Sequence, residues 1–224
     1  MKRRPLPASE PTPRTRHIVR LWHQATDAER ANGRLWYPDA YAIAASLAEN
    51  RCLPVSCVVG IIAALSPRVS WLENLDAARL LLDGVAPTQI AFGRNIAKAQ
   101  AILARPDGDP LDTLRGPKTR AFYQCIMKAG GKRVGDWYAG DDVGSPVVVD
   151  GHAANIAWGR LRASNTVGNL DRRGRYDRIA ECYRRAAAQL CELTADVQAV
   201  TWLVHRRKLD AVDARHASMR RNGR

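Results

Sequence analysis

Apolar side chains recur along most of this chain at three- and four-residue spacing, and the breaks fall at proline, glycine, serine or aspartate, a pattern that predicts a succession of helices. Ile18, Leu21, Trp22 and Ala25 share one helical face, and Asn32-Gly33 reads as the turn after it. Pro38 to Asn50 opens with proline in its first turn. Pro54 to Leu65 is nearly all apolar and reads as a buried helix, and Ser70 to Leu82 has Ser70 as its N-cap and Gly84 as its stop. Arg94 to Leu103 is a further short helix. Asp109 or Asp112 caps a single turn before Leu114, and Pro117 to Lys128 opens with proline and ends at Gly130-Gly131.

From Gly130 to Pro146 the periodicity stops: five glycines and the pair Trp137-Tyr138 read as a long loop. Val147-Val148-Val149 is the one β-like run, and before Asp150 and an Ala-rich helix it reads as an extended lead-in. Tyr176 to Leu193 and Asp196 to Arg207 complete an all-α fold. The domain plan is a basic, Pro-rich, disordered arm at 1–13, one helical domain at 14–207 and a basic tail at 208–224.

Composition bounds the function class. The 224 residues are 46% hydrophobic and 25% charged, enough for a core, and no apolar run reaches the ~20 residues of a membrane span. The N-terminal charges lack the apolar stretch of a secretory signal behind them, so a cytoplasmic location is expected. Five cysteines without a C-x-x-C pair predict neither a disulfide framework nor a metal cluster.

The net charge is +13, and its placement says more than its size. Residues 1–20, 160–185 and 205–224 carry +5 each (6 basic against 1 acidic, 8 against 3, 7 against 2), which leaves the rest near neutral. Three basic segments on a neutral body suit a phosphate-backbone binder, because each neutralised phosphate releases counterions. An Arg-rich solvated surface is the other reading, given 29 Arg to 6 Lys.

The chemistry concentrates between Leu114 and Ile156. Gly116 followed at once by a helix start offers backbone N–H groups and a positive dipole end to a phosphate, with Lys118 and Thr119 in the first turn. Asp150 precedes another helix and reads as its N-cap.

This arrangement resembles the helix-hairpin-helix DNA glycosylases, whose hairpin reads L-P-G-V-G-x-K-T-A and is followed by V-D-x-H. Leu114, Gly116, Lys118 and Thr119, then Val149, Asp150 and His152, stand at the matching places. Upstream, IIAALSPRVSWLENLDAA is similar to that family's L-S-x-Q helix end and N-x-A helix. GRNIAKAQAIL is similar to its G-x-x-x-x-K-A-x-x-I segment, through Gly93, Lys98, Ala99 and Ile102.

The resemblance, over roughly residues 55–160, implies an all-α glycosylase fold with DNA as partner, no cofactor beyond a structural cation at the hairpin, and a monomer. It makes Asp150 the catalytic carboxylate and Lys118 either a nucleophile on C1′ or a phosphate contact. Gly116, Thr119 and Arg120 become DNA contacts, and Arg68 the side chain that fills the gap left by an extruded base. Trp71 and Asn74 line the base pocket, with plain core the other reading of Trp71. Trp137 and Tyr138 join the pocket from the loop. His152 reads as structural, and Trp36-Tyr37 and Trp202 as packing.

The chain departs from the family pattern in three ways. One hairpin glycine remains, Asp150 follows Lys118 by 32 positions across the glycine-rich insertion, and the four-cysteine cluster of some members is absent. The insertion beside the site points to a bulky modified pyrimidine such as glucosylated hydroxymethylcytosine, excised in anti-phage defence. Two alternatives remain: a base-hypermodification transferase acting on an activated pyrimidine in DNA, and a DNA-binding module without catalysis.

Overall fold

A computed structural model describes residues 12–130, 144–164, 167, 170 and 174–222, with side chains to 219. Every regular element among them is helical: α1 Thr15–Trp22, α2 Asp27–Glu49, α3 Val55–Leu65, α4 Trp71–Leu82, α5 Gly93–Leu103, a 3-10 turn Pro110–Asp112, α6 Pro117–Gly130, α7 Gly151–Ala157, α8 Arg175–Leu190 and α9 Thr194–Asn222. No described helix is long and apolar enough to cross a membrane.

Local chemistry sets several helix starts. Ser70 and Glu73 form a reciprocal capping box at α4, and Asp109 accepts from the Leu111 amide to cap the 3-10 turn. α3 is the expected buried helix, with nine of its eleven residues inaccessible, and Gly84 adopts φ +81° just past α4.

Two expectations about helix bounds are corrected. Asn32-Gly33 is not a turn: Thr26 and Glu29 form a second capping box, and α2 runs unbroken from there through Gly33 and Pro38. The helix expected to stop at Arg207 continues as α9 to Asn222, since nothing between Arg207 and Asn222 breaks a helix.

The buried side chains form two clusters. The first joins α2 through α6 around Val58, Ile61, Ile62, Leu65, Leu114 and Ile126. The second joins the N-terminal α1 to the C-terminal α7, α8 and α9 around Ile18, Ile156, Ile179, Tyr183 and Val200. The extended run before α7 belongs to both, with Val148 in the first cluster and Val147 and Val149 in the second. Period-two alternation thus threads the seam between the cores and delivers Asp150 to its end.

Candidate functional site

The lead-in to Asp150 has no strand partner among the described residues, and its backbone groups are satisfied otherwise. Tyr176 on α8 donates its hydroxyl to the Val147 carbonyl at 2.5 Å and accepts from the Val149 amide at 3.2 Å. One buried side chain replaces a rung of sheet. Burial pushes the Tyr176 phenol far above its usual range, so it stays a neutral donor.

Asp150 is the N-cap of α7, its Oδ1 accepting from the Ala153 amide at 2.8 Å. Gly151 follows because the 160–164 segment crosses here: a Cβ would lie 2.2 Å from the Ser164 carbonyl oxygen. The second turn of α7 carries Asn155, whose amide donates to the carbonyls of Arg162 and Ala163 and holds that segment down. Apart from its cap bond, Asp150 makes no hydrogen bond or ion pair with a described residue, which leaves Oδ2 unengaged.

Lys118, in the first turn of α6, is half-buried and likewise has no hydrogen bond or ion pair among the described residues. The charges of both groups act on the His152 ring. Asp150 favours the protonated form of that ring, while Arg206 and Lys118 oppose it. Burial is the largest influence and holds the His152 pKa below its ordinary value. The Asp150 charge also acts on Tyr37 on α2, Tyr176 and Tyr183 on α8, and His205 on α9.

The hairpin residues divide. Leu114 is fully buried, and Thr119 donates its hydroxyl to the Gly116 carbonyl at 3.0 Å, closing the first turn of α6. Arg120, expected to meet DNA, turns inward: its Nη1 donates to the carbonyls of Leu111 and Leu114 at 2.6 and 2.9 Å. These hairpin carbonyls are satisfied by a cation the chain carries itself, which does not fit a bound metal ion at this place. No cluster of three or more metal-ligating side chains occurs among the described residues.

Arg68 lies between α3 and α4, exposed, at φ +67°, a region that costs a non-glycine residue ~1–2 kcal/mol. Its guanidinium sits 5.8 Å from the Phe92 ring centroid, and Phe92 and Leu72 are both exposed. The expected pocket residues lie deeper. Trp71 is half-buried in an aromatic cluster, 5.3 Å from Trp36 and 6.4 Å from Phe122 between ring centroids, and Trp36 stacks edge-on against Tyr37 at 4.8 Å. Asn74 is buried, with Oδ1 lacking a hydrogen-bond partner among the described residues. Trp137 and Tyr138 fall outside the described residues.

Sequence reasoning missed His205 and Tyr176, and read Tyr37 as packing alone. His205 Nδ1 is 3.2 Å from His152 Nδ1 across 53 positions, and Tyr37 donates its hydroxyl to Gln198 Oε1 at 2.8 Å across 161. No local pattern spans such separations. Trp202, read as packing, presents its ring edge-on to His152 at 6.0 Å and carries Arg206 over its face. The basic segments are partly tied down: Arg207 pairs with Glu29 at 2.7 Å, and Arg185 with Glu181 at 2.9 Å.

A family described only as a family of unknown function, DUF7178, matches residues 4–209. No curated protein and no solved structure matches the chain.

Proposed function

For this chain, which belongs to the DUF7178 family of unknown function, we propose the activity of a DNA N-glycosylase of helix-hairpin-helix type. A base is turned out of the DNA and its glycosidic bond is broken at Asp150. One observation carries the reading: an acid and an amine, Asp150 Oδ2 and Lys118 Nζ, both lack partners among the described residues although both act on the His152 ring. A structural cap needs one carboxylate oxygen, and a structural lysine is ordinarily paired or fully solvated.

The chemistry follows from charge. As the base departs with the bonding electrons, positive charge builds at C1′ of the sugar, and a fixed carboxylate beside it lowers the barrier and orients the attacking water. Asp150 is fixed by its cap bond and by the Tyr176-pinned lead-in. Lys118 then has two uses, attack on C1′ to give a Schiff base or contact with the flanking phosphate. Arg68, with Phe92 beneath its guanidinium, forms an exposed cationic and apolar prong of the kind that fills a vacated base stack. The substrate we propose is a modified pyrimidine in DNA, in a setting of defence against phage.

The test incubates the protein with unmodified DNA and with DNA carrying glucosylated hydroxymethylcytosine, reading released base by mass spectrometry and abasic sites by an aldehyde-reactive probe. Release of the modified base with abasic sites is expected. Borohydride trapping that is lost in Lys118→Ala identifies the nucleophile. Tight binding with no base released from either DNA would overturn the reading, and pyrophosphate released from DNA bearing an activated pyrimidine would replace it with a transferase.

A further inference from the structure

His205 and His152 hold each other in a way the proposed chemistry leaves unused. His205 is 2% exposed and its two ring nitrogens meet different partners: Nε2 lies 3.2 Å from the Arg160 carbonyl oxygen, and Nδ1 lies 3.2 Å from Nδ1 of His152. A carbonyl only accepts, so Nε2 of His205 carries a proton. Burial lowers the pKa of both rings, so the neutral pair is the state near pH 7. Nδ1 of a neutral His205 is then a lone pair. The contact between the two Nδ1 atoms needs one proton, and His152 must supply it. That leaves Nε2 of His152 as a second lone pair, with no hydrogen-bond partner among the described residues.

The geometry points to a positioning role for this pair: His205, anchored by the Arg160 carbonyl, locks His152 in its Nδ1–H form, so that Nε2 of His152, on the ring two residues after Asp150, is always an acceptor. The inference rests on the reading of Asp150 as the catalytic carboxylate. Nε2 of His152 and Oδ2 of Asp150 are then two acceptors for one donor, the attacking water or the Lys118 amine, and two acceptors fix a donor's orientation where one would let it swing. No proton needs to move for this. Partner-fixed tautomers of this kind are how proteins choose which imidazole nitrogen does the work.

The surroundings agree from every packed element. Asp150 on α7 favours a proton on either ring, while Lys118 on α6 and Arg206 on α9 oppose one on His152, and Arg206 opposes one on His205 as well. α8 contributes the uncharged Tyr183 hydroxyl, which donates to the Ala153 carbonyl at 3.4 Å. α1 contributes His17, whose Nδ1 bonds the Ala157 carbonyl at the far end of α7. A proton added to the pair converts Nε2 of His152 from acceptor to donor and reverses what it can hold.

The test is NMR of the ring nitrogens of the full chain labelled with ¹⁵N-histidine, at pH 7.5, in wild type, His205→Phe and His205→Gln. His152 is expected as the Nδ1–H tautomer, the minor form of free histidine. Phe removes the acceptor and releases His152 to its Nε2–H form, and Gln, whose amide oxygen accepts, restores the Nδ1–H form. Base release is expected to fall with the tautomer in His205→Phe and to recover in His205→Gln. An Nε2–H His152 in wild type overturns the inference, as does a tautomer unchanged in a folded His205→Phe. The tautomer is read without activity, so a wild type that releases no base refutes the glycosylase reading alone. A locked tautomer whose release leaves the base-excision rate untouched refutes the positioning role alone.

Discussion

Gly33 on α2 and Val200 on α9 cross so closely that a methyl on Gly33 would lie 2.3 Å from Val200 Cγ2 and 2.9 Å from its Cα and N. The side-chain clash could be relieved by a rotamer change, but the backbone clash could not. Gly33→Ala therefore forces the two helices apart and should destabilise the fold by ~1–3 kcal/mol, the usual cost of overpacking. Urea unfolding checks this: the midpoint drops while the slope holds. An unchanged midpoint would mean the crossing is loose.

Arg68 holds a left-handed backbone with an exposed side chain. Glycine relieves that strain, so Arg68→Gly should leave the fold as stable or up to ~1 kcal/mol more stable. The same change removes the prong's charge, so DNA binding and base release should fall. A variant that loses stability together with activity would assign Arg68 to the fold instead.

Tyr176→Phe deletes one hydroxyl that serves both Val147 and Val149. Two buried backbone groups lose their partner, at ~1–3 kcal/mol. Asp150 loses its alignment as well, so base release should fall further than the loss of folded protein explains. Thermal unfolding and single-turnover rates on one preparation separate the two effects.

The His152–His205 pair makes stability depend on pH. Both folded pKa values lie below the unfolded value of about 6.5 because burial penalises the charged ring. Below that value the unfolded chain binds more protons than the folded one, so the stability is complete above about pH 6.5 and is lost as pH falls through the folded pKa values. His205→Gln removes one titrating ring and should flatten the fall below about pH 6.5. Parallel curves for the two proteins would show that other groups set the acid limit.

What the sequence made legible was local. Ser70 as the cap of α4, proline at the start of α6 and Asp150 before an Ala-rich helix are each read within a few residues, and each stands where it was expected. The start of α2 was equally local, in Thr26-Asp27-Ala28-Glu29, but Gly33 and Pro38 masked its continuity. Gly33 is needed for a crossing with a residue 167 positions away, so nothing beside it in sequence could explain it. Arg120 shows the same limit: a cation after a hairpin reads as a phosphate contact until the Leu111 and Leu114 carbonyls are seen around it. His205, held by Arg160 and His152, needed the fold to be noticed at all.

The most direct test of the central claim separates the two jobs of Asp150. Asn keeps an oxygen that accepts from the Ala153 amide but loses the charge, while Ala loses both. Asp150→Asn should unfold close to wild type, and Asp150→Ala should lose ~1 kcal/mol with the cap. Both should release base more slowly by a factor on the order of 10² or more, the scale of removing a charge-stabilising group. Asp150→Asn that releases modified base at the wild-type rate would contradict the account and leave Asp150 a helix cap.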